Sequence, residues 1–362
     1  MGRKNYQVVR LFVLFAFLFA ACEKDTVRTT PSTQPPTGST QRNVFVVCEG
    51  TLGNGNSSLH LYTPGQNLVY NDVYKQANSE LLGDVFQSMT RIDKRLFLCV
   101  NNSDKIVVLN LSDRKKVGEI NVSKPRYIVS ASSTKAYVSS IFSDKVHIIN
   151  PQTLSVVGEI TMPYKNPEGM ILVNGLLYVC CWDTNANNIY AIDINTDKIV
   201  KAIPIAGKAP HDISIDRDGK IWVLAGNAPK KIWATLTRIE TLSSQIMKSY
   251  SFPPLAEPMR IAFNQSRDKF YFIEVDYNGS TQYNGVYTMG IYDDKIPTTP
   301  FVAAAQFQYY WALGVDPTND DVYIGDPKGF VQKGSVSVYR EDGTKKSSFD
   351  VGIGPGQFYF EN

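Results

Sequence analysis

From residue 43 to the end, apolar residues come in short runs broken by Gly, Asn, Asp and Pro. In the stretch that opens at Pro125 the runs are Tyr127 to Ala131, Lys135 to Ser140, Lys145 to Asn150 and Val156 to Ile160. In the stretch from Pro210 they are Asp212 to Ile215, Ile221 to Ala225, Thr235 to Ile239 and Ile246 to Tyr250. Runs of this length, rich in β-branched and aromatic residues and bounded by turn residues, predict strands. Asp216-Arg217-Asp218-Gly219 and Asp316-Pro317-Thr318-Asn319-Asp320 predict turns between first and second strands, and Asn195-Thr196-Asp197 one between third and fourth. No long apolar stripe of period 3.6 competes, and Asn78 to Val85 is at most a short helix. The chain is all-β.

The four-strand unit repeats. Segments that enter an apolar run just after a proline begin at Pro125, Pro167, Pro210, Pro258 and Pro355, and Phe86-Gln87-Ser88-Met89 and Tyr309-Tyr310-Trp311-Ala312 fit the same phase without it. Starts at 87, 125, 167, 210, 258, 310 and 355 lie 38, 42, 43, 48, 52 and 45 residues apart. Such a period marks the blades of a β-propeller. Six repeats are complete; the N-terminal part adds only Val44 to Cys48, Ser58 to Tyr62 and Leu68 to Val73, and Gln357 to Phe360 is an orphan first strand. Joined, the two ends make a seventh blade, which removes the open sheet edge. The predicted fold is a seven-bladed β-propeller over 43–362, with the C-terminal strand closing the N-terminal blade.

Residues 1–21 are a processing signal. Arg3, Lys4 and Arg10 precede the apolar run Leu11 to Phe19, which ends in Ala20-Ala21-Cys22. The run is shorter than the roughly 20 residues that span a bilayer, and it resembles a bacterial lipoprotein signal with Cys22 as the lipidated residue. The implied mature chain is held to the outer membrane through acyl chains on Cys22, and more than one chain suffices for stable anchoring. Glu23-Lys24-Asp25 resembles a surface-export signal. The Thr-, Pro- and Ser-rich stretch up to residue 42 reads as a flexible tether over 22–42.

Composition then narrows the function classes. The full chain of 362 residues has 37 Lys and Arg against 34 Asp and Glu, so removing the three bases of the signal leaves 34 of each sign. A neutral chain has no electrostatic footprint for nucleic acid. The 43% hydrophobic and 12% aromatic content exceeds what a disordered chain carries. Cys48, Cys99 and Cys180 each close an apolar run at one place in a second strand, and Cys180 and Cys181 face opposite ways as strand neighbours. All four read as free thiols. The three histidines, His60, His147 and His211, are dispersed, and no cluster has metal-ligand spacing. No nucleophile elbow, phosphate loop or zincin motif occurs, so the expectation is a non-enzyme with no cofactor and no metal.

The repeat itself points to a site. The residue after each repeat proline enters the innermost strand, so these positions gather at one mouth of the central channel: Gln87, Arg126, Glu168, His211, Met259 or Arg260, Tyr310 or Trp311, and Gln357. With Tyr309 and the loop residue Trp182 nearby, this varied polar and aromatic set suits a sizeable, partly apolar ligand.

Glu49-Gly50, Asn54 to Leu59, Leu82-Gly83-Asp84-Val85, Pro125 to Ile128 with Lys135 to Ser140, and Pro167-Glu168 with Leu177-Tyr178-Val179 resemble the YncE-like propeller lipoproteins of the Bacteroidota. Within that group the chain is similar to the BtuG-type surface proteins. That resemblance implies capture of a cobalamin-like corrinoid and its delivery to an outer-membrane transporter of the BtuB type. Two other classes stay open. One is a protein-interaction scaffold; the other is a lactonase-like propeller hydrolase, for which only His211 with Glu168 or Asp212 begins a catalytic set.

Overall fold

The second strands explain why the sequence shows apolar runs where a one-sided sheet would show alternation. In Arg95–Val100, Lys135–Ser140 and Leu176–Cys181 every residue after the first is buried. A strand packed on both faces has no solvent side to pattern against. The outermost strands, such as Ser155–Thr161 and Lys198–Pro204, are mostly exposed or half-buried. This computed structural model describes residues 28–30, 42–275 and 284–361. Cys22 and the signal lie outside the described residues, as does most of the tether.

The described strands form seven antiparallel sheets. We number the blades by the chain order of their second strands. Blade 1 runs from Pro355–Phe360 at the axis through Val44–Cys48 and Ser58–Thr63 to Leu68–Tyr70. Arg28–Thr30, inside the stretch read as a tether, adds a short parallel strand beside Leu68–Tyr70. Blades 2 to 7 have their innermost strands at Phe86–Ile92, Pro125–Ser132, Pro167–Val173, Pro210–Ile215, Glu257–Phe263 and Ala312–Val315. Each innermost strand touches the next, and that of blade 7 touches Pro355–Phe360, so the ring is closed. Val44 pairs with Phe360, Phe45 with Tyr359 and Val46 with Phe358; the closure expected from the strand count is the one observed.

The core is not a single mass. Seven apolar clusters sit one between each pair of adjacent blades, from Phe45, Leu61 and Leu98 between blades 1 and 2 to Val46, Tyr323 and Phe358 between blades 7 and 1. Cys48, Cys99, Cys180 and Cys181 are free and buried, with Cys180 and Cys181 in the clusters on either side of blade 4. Burial pushes the thiols of Cys99 and Cys181 up to about 12, so they behave as small apolar side chains.

Two local expectations shift. The strand read over Leu68 to Val73 ends at Tyr70, and the helix is Val73–Asn78, ahead of the stretch 78–85. Asp72 caps it, accepting from the Lys75 amide, and Ser79 in the left-handed region stops it after six residues. Cap chemistry fixed those ends, and a period-based reading overlooked it.

Candidate functional site

The first link between fold and site is a repeated irregularity. At the start of the innermost strand, six of the seven blades carry one residue more than the neighbouring strand: Gln87 in blade 2, one of Arg126 and Tyr127 in blade 3, one of Glu168 and Gly169 in blade 4, His211 in blade 5, one of Arg260 and Ile261 in blade 6, and Gly356 in blade 1. A bulge of this kind re-aims side chains that regular pleating would send into the sheet interface. Blade 7 has no such bulge. Its neighbouring side chains separate accordingly. Trp311 faces the channel mouth, whereas Tyr310 is buried in the apolar cluster between blades 6 and 7, with its hydroxyl 3.4 Å from the Ala303 carbonyl. Tyr310 therefore does not join the other residues of the predicted set.

The rest form one connected system. Arg126 Nε donates to both carboxylate oxygens of Glu168 at 3.0 and 2.9 Å, and its terminal nitrogens reach Glu168 and Gln87. The amide of Gln87 points at the Tyr127 hydroxyl, 3.5 Å away. From the far side of the ring, Arg260 Nη1 donates to the same hydroxyl at 2.8 Å. Blade 6 thus meets blade 3 across the channel, and the bore is bridged. Arg260 Nε points at the Trp311 carbonyl at 3.3 Å, its guanidinium lies 5.7 Å from the indole ring centre, and Trp311 Nε1 donates to Glu49 at 2.7 Å. Glycine at 356 leaves room for this contact, because a Cβ would come within 2.4 Å of the Glu49 carboxylate and displace it. Gln357 accepts from the Met89 amide at 2.7 Å and so ties blade 1 to blade 2.

His211 stands beside this network. Its ring meets Trp182 edge-on at 6.2 Å, which brings the expected loop tryptophan to the mouth. Burial pushes the imidazole down to about 4, although the nearby Glu168 pulls the other way, so it is neutral at pH 7. Asp212 accepts from the amides of Ile213 and Ile261, each at 2.8 Å. Burial raises the carboxyls of both Glu49 and Asp212 above the ordinary range. For Arg126 burial opposes the charge, but Glu168 outweighs it and the guanidinium is held firmly protonated.

Glu49 and Tyr127 were not in the predicted set, and Asp212 entered only as a candidate for a hydrolase, though the three carry links of this network. Glu49 follows the second strand of blade 1, Val44–Cys48, at the level where the innermost strands begin, and that register was the signal available for it. Arg260 has φ +63°, a left-handed conformation that costs a non-glycine residue about 1 kcal/mol or more.

On the same face, the connection from blade 6 to blade 7 and the loop after Val322–Asp326 enclose a cleft of about 680 Å³. Its walls include Phe307, Tyr309, Trp311 and Phe330, with Gln306 and Gln332 among the polar groups. Phe330 meets Trp311 edge-on at 5.5 Å, so Trp311 is the wall shared by cleft and channel. The opposite face has a hollow of about 610 Å³. Its lining includes two ion pairs, Lys269 with Glu341 and Lys346 with Asp321, beside Arg340 and Asp342. Among the described residues no group of three or more His, Cys, Asp or Glu is placed to hold a metal ion.

A family model described as a domain of unknown function, DUF5074, matches residues 42–360, which is the whole propeller. The chain belongs to the DUF5074 family. No curated protein matches it. Among solved structures, a quinonprotein alcohol dehydrogenase-like protein from Bacteroides thetaiotaomicron is similar to 89% of this DUF5074 chain and over 79% of its own, with a TM-score of 0.69 and 16% identity. Hydrazine synthase from Kuenenia stuttgartiensis gives a TM-score of 0.64 at 16% identity, covering 76% of this chain and 91% of its own. Dihydro-heme d1 dehydrogenase NirN, in complex with DHE, gives 0.60 at 10% identity, covering 91% and 77%. At these identities the DUF5074 chain shares the propeller fold with them, and the fold alone supports no function.

Proposed function

We propose that this DUF5074 propeller is a non-catalytic capture protein. It takes a sizeable, partly apolar ligand, a cobalamin-like corrinoid, in the cleft beside Trp311 and passes it to an outer-membrane transporter of the BtuB type. Acyl chains on Cys22 hold it at the outer membrane. The observation that carries the reading is the cleft itself. Four aromatic side chains line a preformed hollow within the roughly 300–1,000 Å³ range of ligand sites. They sit on a rigid ring, which keeps the ordering cost of binding low. Aromatic rings offer flat apolar area, and the indole and phenol add polar tips.

The channel mouth weighs against a hydrolase. Glu168 is engaged by Arg126 and Asp212 by main-chain amides, and His211 has no hydrogen-bonded carboxylate among the described residues. A general base needs such a partner or a substrate proton within reach. The scaffold reading has one observation in its favour: Leu52, Phe142, Phe307 and Val331, each at least 68% exposed, lie in loops on the cleft face.

Calorimetry of the full chain with cyanocobalamin tests the proposal. Wild type is expected to bind, and Trp311→Ala to bind about 30-fold more weakly, the roughly 2 kcal/mol of an interface hot spot. Absence of heat together with no rise in melting temperature overturns the corrinoid reading and favours the scaffold. For the anchor, Cys22→Ser is expected to move the protein from the membrane to the soluble fraction; retention in membranes refutes it.

A further inference from the structure

The two arginines of the channel mouth are provided for very differently. Arg126 has a carboxylate on two of its nitrogens and an amide oxygen on the third. Arg260 has neither. Its Nε and Nη1 meet a main-chain carbonyl and a phenol, and Nη2 has no hydrogen-bond partner among the described residues. Among the described residues no carboxylate lies within ion-pair distance of it, and the nearest acids are engaged elsewhere: Glu49 by the Trp311 indole, Asp212 by two amides, Glu168 by Arg126. His211, also without a hydrogen-bonded partner among the described residues, and the proton of Tyr127 add uncommitted donors to the same mouth. Arg260 is half-buried and its charge is supported only at a distance by Glu49 and Asp212, so its planar fork, shaped for oxyanions, keeps an edge free for one. The backbone of Arg260 adds to this: it is one of the two residues of the blade 6 bulge and is held left-handed, and its side chain reaches Tyr127 across the channel.

We propose that Arg260 is an oxyanion-binding residue, and that the captured ligand carries a phosphate or carboxylate that enters the channel mouth and bonds Arg260 Nη2. The inference rests on the capture reading for the body of the ligand, which lies against the other face of Trp311, but the oxyanion site is testable alone. The groups facing it are Glu49, Asp212, Glu168, Arg126, His211 and Tyr127. Arg126 and Glu168 cancel. Burial raises the carboxyls of Glu49 and Asp212, and their protonation removes the repulsion an anion meets, so binding of an anion of fixed charge tightens as pH falls.

The experiment titrates the full chain with inorganic phosphate, acetate and chloride at matched ionic strength. It follows calorimetric heat and the arginine Nε–H resonances in ¹⁵N spectra. Phosphate or acetate, whichever source the ligand uses, is expected to bind more tightly than chloride and to move the Arg260 resonance, identified by its loss in Arg260→Lys. Arg260→Gln is expected to weaken that binding at least tenfold, and Arg217→Gln, on the opposite face, to leave it unchanged. Oxyanions that bind no better than chloride overturn the proposal. So do oxyanions that move only other arginines, a readout that does not depend on the folding of Arg260→Gln. Oxyanion binding without cobalamin binding removes the corrinoid and keeps this site; cobalamin binding with an unmoved Arg260 does the reverse.

Discussion

Replacing Phe358 by Ala tests whether the ring is held shut by its C-terminal strand. Phe358 is 7% exposed and packs against Tyr323 at a ring separation of 5.7 Å, in the cluster that joins blade 7 to blade 1. The position of a Cβ on Gly314 would lie 3.2 Å from the Phe358 side chain, so the sheet below is already close. Burying a phenylalanine contributes about 1.5–3 kcal/mol, and a closed ring cannot collapse freely into the cavity left behind. The cost of Phe358→Ala is therefore about 3–4 kcal/mol, a large part of a domain stability of about 5–15 kcal/mol. Urea unfolding at 25 °C, followed by far-ultraviolet circular dichroism, measures it. Val157→Ala, on the outer strand of blade 3 and 58% exposed, is the control and should change stability by less than about 0.5 kcal/mol. Removing 354–362 deletes the whole strand and should cost more than the point substitution. A Phe358→Ala protein as stable as the control, or a truncated chain that unfolds at the wild-type urea concentration, refutes the closure argument.

Three further outcomes follow from the same geometry. Arg126→Leu strands the buried Glu168 carboxylate and should cost about 3–5 kcal/mol, whereas the double substitution Arg126→Leu/Glu168→Leu should recover most of it; urea unfolding of both proteins checks this. His60 is 5% exposed and burial pushes its imidazole down to about 4. The unfolded chain therefore binds a proton near pH 6.5 that the folded chain refuses until about pH 4, so stability is full above 6.5 and falls as pH drops through that window. The wild type should lose about 3 kcal/mol there relative to His60→Gln, measured as the difference between their stability profiles. Gly169→Ala places a Cβ 2.7 Å from the His211 carbonyl; forcing apart the innermost strands of blades 4 and 5 should cost about 1–3 kcal/mol, read as a lowered melting temperature.

The propeller was legible because its determinants are local and repeat. Each blade needs four short strands and small turns, and two-sided burial makes the second strands read as unbroken apolar runs such as Leu96 to Val100 and Ala136 to Val138. Repetition turned weak single signals into a count, and three strands at one end with one at the other made closure arithmetic. The phase of the repeat also placed Gln87, Arg126, Glu168, His211, Arg260, Trp311 and Gln357 at one level of the ring.

What those residues do there was decided only in three dimensions. Whether Tyr310 or Trp311 faces the channel depends on the absence of a bulge in blade 7, which no residue pattern announces. The link from Arg260 to Tyr127 joins positions 133 residues apart, across a diameter set by the number of blades. The cleft is made by two loops, 304–311 and 327–332, of no shared pattern, that happen to flank one tryptophan. Periodicity reports which side of a strand a residue occupies. Pairing of charges, aim of a bulged side chain and the space between loops depend on distances between blades, and those exist only once the ring has closed.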